Sequence, residues 1–348
     1  LREAFGAGRA GYEVVAARRE DRPVRAYRPG DEREILALFQ QQFHTERGED
    51  HFRWKYLDSP FGGPCMSLIF SGEGSLMAHY AGYPLPFHRG GAAPEAFPVM
   101  QVGDTMTRPE GRRVGLGPTS LLARATLHFY ARYLEERMAW AFGFNTGRIR
   151  TFGSRYMEYG YLEPVTTWTL PAAAVNERKP SVLPGRWRAE RIAAAADEFD
   201  RFFERASERY GILARRNARY LTWRYFARPD RTYALYAVRR WGRLRGWGVF
   251  YREEDRLLWG DALFDTGDPR ALDALLAAAL RDHPEAAAVE GWFPPRPAWW
   301  ATLLRARGFT EAAEPRGLAY CYKTFARPDL EGPLREGLYY TRGDGDLF

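Results

Sequence analysis

The stretch EGRRVGLGPTS (residues 110–120) places Arg112, Arg113, Gly115 and Gly117 directly ahead of LLARATLHFYARYLEERM (121–138), which reads as a long amphipathic helix. A helix start leaves backbone N–H groups unpaired and carries partial positive charge. Glycines at that point let a ligand come close, so the stretch reads as a seat for phosphate. Upstream, VMQVGDTMT (99–107) has the character of a strand, and downstream MAWAFGF (138–144) supplies another. Strand, glycine turn, helix and strand make the pattern from which the rest of the chain can be read.

That pattern occurs twice. HFRWKYLDSP (51–60) is matched by YLTWRYFARP (220–229), with Trp, a basic residue, Tyr and Pro at the same spacing. Each follows a helical segment, 31–44 in one half and 194–211 in the other, and each precedes two strands joined by a Gly-containing turn. A further strand then carries Gly-Asp in both halves, Gly103-Asp104 and Gly260-Asp261. Next come a helix, a short apolar strand, and a last helix ending in RYMEYGYLE (155–163) or LLRARGFTE (303–311). The order predicts a duplicated α/β unit of mixed α+β type. The predicted division is an N-terminal arm (1–24), a first domain (25–171), a Pro-containing linker (172–185), a second domain (186–326) and a tail (327–348).

Size and composition agree with two soluble domains. A chain of 348 residues with 45% hydrophobic content can bury two ordinary cores. No apolar run approaches the ~18 residues needed to cross a bilayer. Cys65 and Cys321 cannot form a disulfide framework or a cysteine-based zinc site, and they are expected as packed thiols in a reducing cytoplasm. The net charge of +7 is spread along the chain, which argues against nucleic acid as a partner. Nearly all the basic residues are arginine, which favours attraction of a phosphorylated small molecule.

The order of elements resembles the GNAT superfamily of acyl-CoA-dependent N-acyltransferases: two tandem GNAT-like units, each a central mixed, mostly antiparallel sheet flanked by helices. Members carry (Gln/Arg)-x-x-Gly-x-(Gly/Ala) between the fourth strand and the following helix. Arg112-Arg113-Val114-Gly115-Leu116-Gly117 fits it position by position. The resemblance implies that amides of this loop hold the diphosphate of coenzyme A, with Met106 and Thr107 on the preceding strand, Thr119 and Ser120 after the loop, and Asn145 near the next helix also on the cofactor side. Pro118 removes an N–H that the family usually offers, and the hydroxyl of Thr119 or Ser120 is expected to replace it. Tyr156, four residues before Gly160-Tyr161, stands where the family commonly protonates the departing thiolate.

The second half lacks these features. Its turn, FDTGDPRALDALL (264–276), has no Arg-x-x-Gly-x-Gly, and Leu304 replaces the tyrosine, so the second unit reads as degenerate. Asp104 suggests a general base, yet its counterpart Asp261 persists in that degenerate unit, which favours a structural role. The position where many members place a base is Gln101, leaving water relays, His79 or His44 as substitutes. The resemblance extends to tandem proteins of the Eis-like or mycothiol-synthase-like kind, here without a sterol-carrier domain. In Eis-like proteins the terminal carboxylate reaches the active site, which makes Asp344, Asp346 and Phe348 candidates. His44, Trp54, Tyr80 and Tyr83 are the expected acceptor-side residues.

The implied activity is transfer of an acyl group, acetyl first, from acetyl-CoA or another acyl-CoA to a primary amine of a small molecule. No metal is expected. Acyl carrier protein is a second conceivable donor, since it offers the same pantetheine arm, and Arg108 and Arg113 would suit its acidic surface. A FemABX-like aminoacyl transferase and a non-catalytic tandem binding module are the other readings; the glycine loop argues against the first of these.

Overall fold

The computed structural model describes residues 23–91, 94–115, 117–176, 187–346 and 348, without the side chains of Arg113 and Arg148. Most of the expected arm and linker, and Leu116 of the glycine loop, lie outside the described residues.

In chain order the first elements are β1 (Val24–Ala26), α1 (Glu32–Phe43), α2 (Glu49–Phe52), β2 (Cys65–Phe70), β3 (Leu76–Arg89), β4 (Glu95–Thr107), α3 (Leu121–Phe129), β5 (Trp140–Asn145), α4 (Gly147–Tyr156), β6 (Gly160–Pro164), β7 (Thr166–Pro171) and α5 (Ala172–Asn176). The order then returns with β8 (Trp187–Ile192), α6 (Glu198–Ser207), β9 (Ile212–Ala214), α7 (Ala218–Leu221), β10 (Ala234–Arg240), β11 (Arg243–Glu253), β12 (Arg256–Phe264), α8 (Pro269–Asp282), β13 (Ala288–Trp292), α9 (Ala298–Ala306), β14 (Thr310–Ala313) and β15 (Ala319–Thr324), followed by α10 (Glu331–Gly337). The protein is thus mixed α/β, with two mixed sheets and helices on them.

The first sheet runs β1-β2-β3-β4-β5-β15-β6 and the second β14-β7-β13-β12-β11-β10-β8. In each, a strand comes from the other half of the chain. Beside β5 that strand is β15, held by a hydrogen bond from the Trp140 indole to the Tyr320 hydroxyl (3.0 Å) and by stacking of Phe142 on Tyr320 at 4.9 Å. Beside β13 it is β7, which pairs antiparallel from Thr167↔Trp292 to Pro171↔Ala288. The compact units are accordingly discontinuous. One gathers the described residues up to Leu85 with Pro98–Tyr161 and Tyr320–Leu330; the other gathers Pro86–Phe97, Leu162–Ala319 and Glu331–Phe348.

The core of the first unit forms where α3 crosses β2 to β5: Ile69, Met77, Ala78, Tyr80, Met100, Leu121, Ala125, Leu127, Phe129, Tyr130, Leu134 and Ala141 pack together. The expectation of an amphipathic helix over 121–138 is corrected by this packing. Ala123, Arg124 and Thr126 are buried alongside the leucines, so α3 is enclosed on most of its faces. After Phe129 it opens into a turn of π-helix, with the Glu135 amide donating to the Tyr130 carbonyl at 3.1 Å.

Candidate active site

Between β4 and α3 the chain makes a tight 3-10 turn (Pro109–Arg113), passes Gly115 at φ +70° and Gly117 at φ +53°, and makes a second 3-10 turn (Gly117–Thr119) before the helix. Both glycines are required. A Cβ on Gly115 would sit 2.3 Å from the Thr119 carbonyl oxygen. A Cβ on Gly117 would lie 3.1 Å from Cε1 of Tyr156 and 3.5 Å from its hydroxyl. Two residues singled out from separate sequence features, the loop glycine and the phenol at the end of α4, are therefore neighbours, and the missing side chain of Gly117 is the space beside that phenol.

Ser120 corrects an expectation. Its hydroxyl caps α3, accepting from the Ala123 amide at 3.3 Å and donating to the Gly117 carbonyl at 2.8 Å. It is engaged in holding the loop against the helix and so does not stand in for the N–H lost at Pro118, which itself lies in the 3-10 turn and not in the first turn of α3. Ser120→Ala should cost about 1 kcal/mol by chemical denaturation; equal stability would mean that the cap carries no load. Among the other loop residues, Thr119 is exposed, Val114 packs on the core and the Arg112 guanidinium donates to the Gln42 side chain.

On the strand side, β4 and β5 pair in parallel at Met100↔Ala141 and Gln101↔Phe142. Beyond those pairs β4 continues through Met106, which is buried, to Thr107, and β5 ends at Asn145. Arg108 is tied back to β3, its amide on the Met77 carbonyl at 2.9 Å and its Nε on the Leu76 carbonyl at 2.9 Å. Asn145 directly precedes Thr146, the cap of α4, and hydrogen-bonds Cys321.

Asp104 sits at φ +51°, a kink in β4. Its Oδ2 accepts from the Arg47 guanidinium, from Lys55 Nζ at 3.0 Å and from the Tyr56 hydroxyl at 2.6 Å. Burial alone would raise this carboxyl. The charges of Lys55 and Arg47 and the hydrogen bonds from Arg47 and Tyr56 outweigh burial and hold it far below the ordinary carboxylate range. A carboxylate so stabilised is a poor proton acceptor, so the reading of Asp104 as general base is replaced by one in which it fixes the kink in β4. His79 serves the same kink: a carbonyl oxygen only accepts, so Nδ1 donates to the Asp104 carbonyl at 2.7 Å, and burial holds the ring down at about 4, neutral near pH 7.

Sequence reasoning missed Arg47. The signal was present, because Arg47 stands seven residues before Trp54 and Arg216 seven before Trp223. The second unit rebuilds the cluster with Arg216 Nε on Asp261 at 2.8 Å and the Tyr225 hydroxyl on Asp261 at 2.7 Å. Lys55-Tyr56 and Arg224-Tyr225 both lie on turns of π-helix, after α2 and α7 respectively.

The acceptor-side expectations divide. Tyr80 belongs to the core, its hydroxyl 2.8 Å from that of Tyr159, so it is not a pocket residue. His44 ends α1 in the left-handed region and is exposed. Trp54 and Tyr83 are buried; Tyr83 lies edge-on to Tyr56 of the Asp104 cluster at 6.2 Å, and the Trp54 ring lies 5.1 Å from that of His51. The expected reach of the chain's last residues into the first site is also corrected. Asp344 is paired with Arg216, and the main-chain oxygen of Phe348 accepts from Arg224 and Arg228, all within the second unit.

Residues 23–157 match the family model described as an acetyltransferase (GNAT) domain. This segment of the first half is therefore similar to GNAT acetyltransferase domains. Similar solved structures include a conserved protein from Enterococcus faecalis V583 described as a probable N-acyltransferase, with TM-score 0.64 and 12% identity over 89% of this chain and 74% of that one. A GCN5-related N-acetyltransferase from Kribbella flavida gives TM-score 0.61 at 16% identity, over 88% and 72%. Saccharomyces cerevisiae N-myristoyltransferase with bound myristoyl-CoA gives 0.55 at 12%, over 88% and 84%. No curated protein gave a match. Among the described residues, no group of three or more His, Cys, Asp or Glu is placed to hold a metal, and no helix is long and apolar enough to cross a membrane.

Proposed function

We propose that the GNAT domain transfers an acyl group, acetyl first, from acyl-CoA to a primary amine of a small molecule. The observation that carries this reading is the adjacency of the Gly115–Gly117 loop to the Tyr156 phenol. Glycine main chain at the entrance of α3 suits a diphosphate, and the space left by Gly117 is one that a side chain would fill. Acyl-CoA would supply the activated thioester. The chain's own contribution is to hold the donor at the loop, to present main-chain groups of Asp104–Thr107 from the kinked end of β4, and to offer a proton from the Tyr156 hydroxyl to the departing sulfur. The cytoplasm is the compartment this reading implies, with small-molecule amines or acyl carrier protein as its partners.

Thiol release with acetyl-CoA and a panel of primary amines tests the activity; no release above the hydrolysis background with any amine would overturn it. Tyr156→Phe should lower kcat about 100-fold while leaving acetyl-CoA affinity nearly unchanged. Equal turnover by the two proteins would reduce the phenol to packing.

A further inference from the structure

The second unit repeats the Asp104 cluster but adds an occupant. Residues 341–346 and 348 lie along it and include a three-residue 3-10 turn (Arg342–Asp344). Arg216, wholly buried, contacts Asp344 and the Thr341 hydroxyl (3.3 Å), and that hydroxyl donates to Asp261 at 3.0 Å. Arg224, the counterpart of Lys55, donates to three main-chain oxygens: Gly343 at 3.1 Å, Gly345 at 3.0 Å and Phe348 at 2.7 Å. Arg228 donates to the same Phe348 oxygen. The Phe348 ring is fully buried, 5.0 Å from the Tyr233 ring, and lies so close over Gly260 that a Cβ there would stand 1.7 Å from its tip. Gly260 is the counterpart of Gly103, at the end of the parallel β12–β13 ladder, whose last pair is Trp259↔Gly291.

These contacts are of the kind that recognise a peptide: guanidinium groups on several main-chain carbonyls, one carboxylate on a buried arginine, and one aromatic ring in a glycine-floored pocket. We infer that the second unit has kept the cleft of the repeat as a peptide-binding groove, occupied in this molecule by its own residues 341–348. Its ligand class is a short peptide segment with a turn that ends on a carboxylate, four residues before an aromatic side chain. The groove explains why Gly260 has no side chain and why buried arginines surround a unit that lacks the glycine loop. It stands independently of the proposed transfer reaction.

The test uses the full chain and a synthetic peptide of residues 340–348. In the unaltered protein the tethered segment holds the groove at high effective concentration, so added peptide should leave the melting temperature unchanged. In Phe348→Ala the pocket loses its ring, and 1 mM peptide should raise the lowered melting temperature by about 4 °C or more. A peptide with alanine in place of the final phenylalanine should give no shift. Phe348→Leu, which keeps the pocket partly filled, should show a smaller rise. No peptide-dependent shift in either variant, or an equal shift in the unaltered protein, would overturn the groove.

Discussion

Gly117→Val is expected to weaken acyl-CoA binding roughly 100-fold. Two costs add. The residue stands at φ +53°, where a β-branched side chain is strained, and the new Cβ would stand 3.1 Å from the Tyr156 ring with the methyl groups still to be placed beyond it. About 1–2 kcal/mol of backbone strain with about 1–3 kcal/mol of overpacking makes about 2–5 kcal/mol, a range that brackets the 2.8 kcal/mol or so corresponding to a hundredfold change. The loop relieves both by moving away from the position that suits a diphosphate. Calorimetry with acetyl-CoA reads the affinity, and circular dichroism reads whether the fold survives. Adding Tyr156→Ala to the valine variant should return part of the affinity, because the collision is then removed and only the backbone strain remains. Unchanged affinity in Gly117→Val would take the loop out of the site.

Asp104→Ala should cost about 3–5 kcal/mol of stability at neutral pH. The alanine leaves Arg47 and Lys55 close together without their shared anion, and the Lys55 side chain is only 3% exposed. The pH dependence carries the sign. The folded carboxyl is held below its unfolded value near 3.9, so its contribution is fully present above about pH 4 and is lost as pH falls below that. The stability difference between the unaltered protein and the variant, followed by denaturant melts, should therefore be flat from pH 5 to 8 and shrink below pH 4. Asp104→Asn, which keeps the shape, separates positioning from proton transfer: if Asp104 only holds β4, the acidic limb of the kcat profile keeps its midpoint. Disappearance of that limb in the asparagine variant would restore the general-base reading.

The residues that sequence reading found were those whose reasons are local. Gly115 and Gly117 are demanded by a turn closed within a few residues, Thr119 being the nearest obstacle to a side chain at Gly115, whereas the capping role of Ser120 was not foreseen. Tyr156 was legible from its place before Gly160-Tyr161, though its nearness to Gly117 was not. Asp104 was visible as a repeated Gly-Asp, but its role depended on Arg47 and Lys55, both far from it along the chain. The misplaced acceptor residues share one cause: an aromatic on a strand looks the same whether it faces a pocket or, like Tyr80, another tyrosine in the core.

By itself the sequence determined the repeat, the order of elements, the glycine loop and the loss of that loop in the second half, because each depends on φ preference, side-chain period or spacing between near neighbours. Tertiary structure alone decided that β15 lies beside β5 and β7 beside β13, that Arg47 meets Asp104, and that Arg224 meets the Phe348 main chain. An alternating strand encodes which of its faces is buried but not which strand it pairs with. That choice rests on ring contacts and buried hydrogen bonds such as Trp140 with Tyr320, between residues that meet only after the chain has folded.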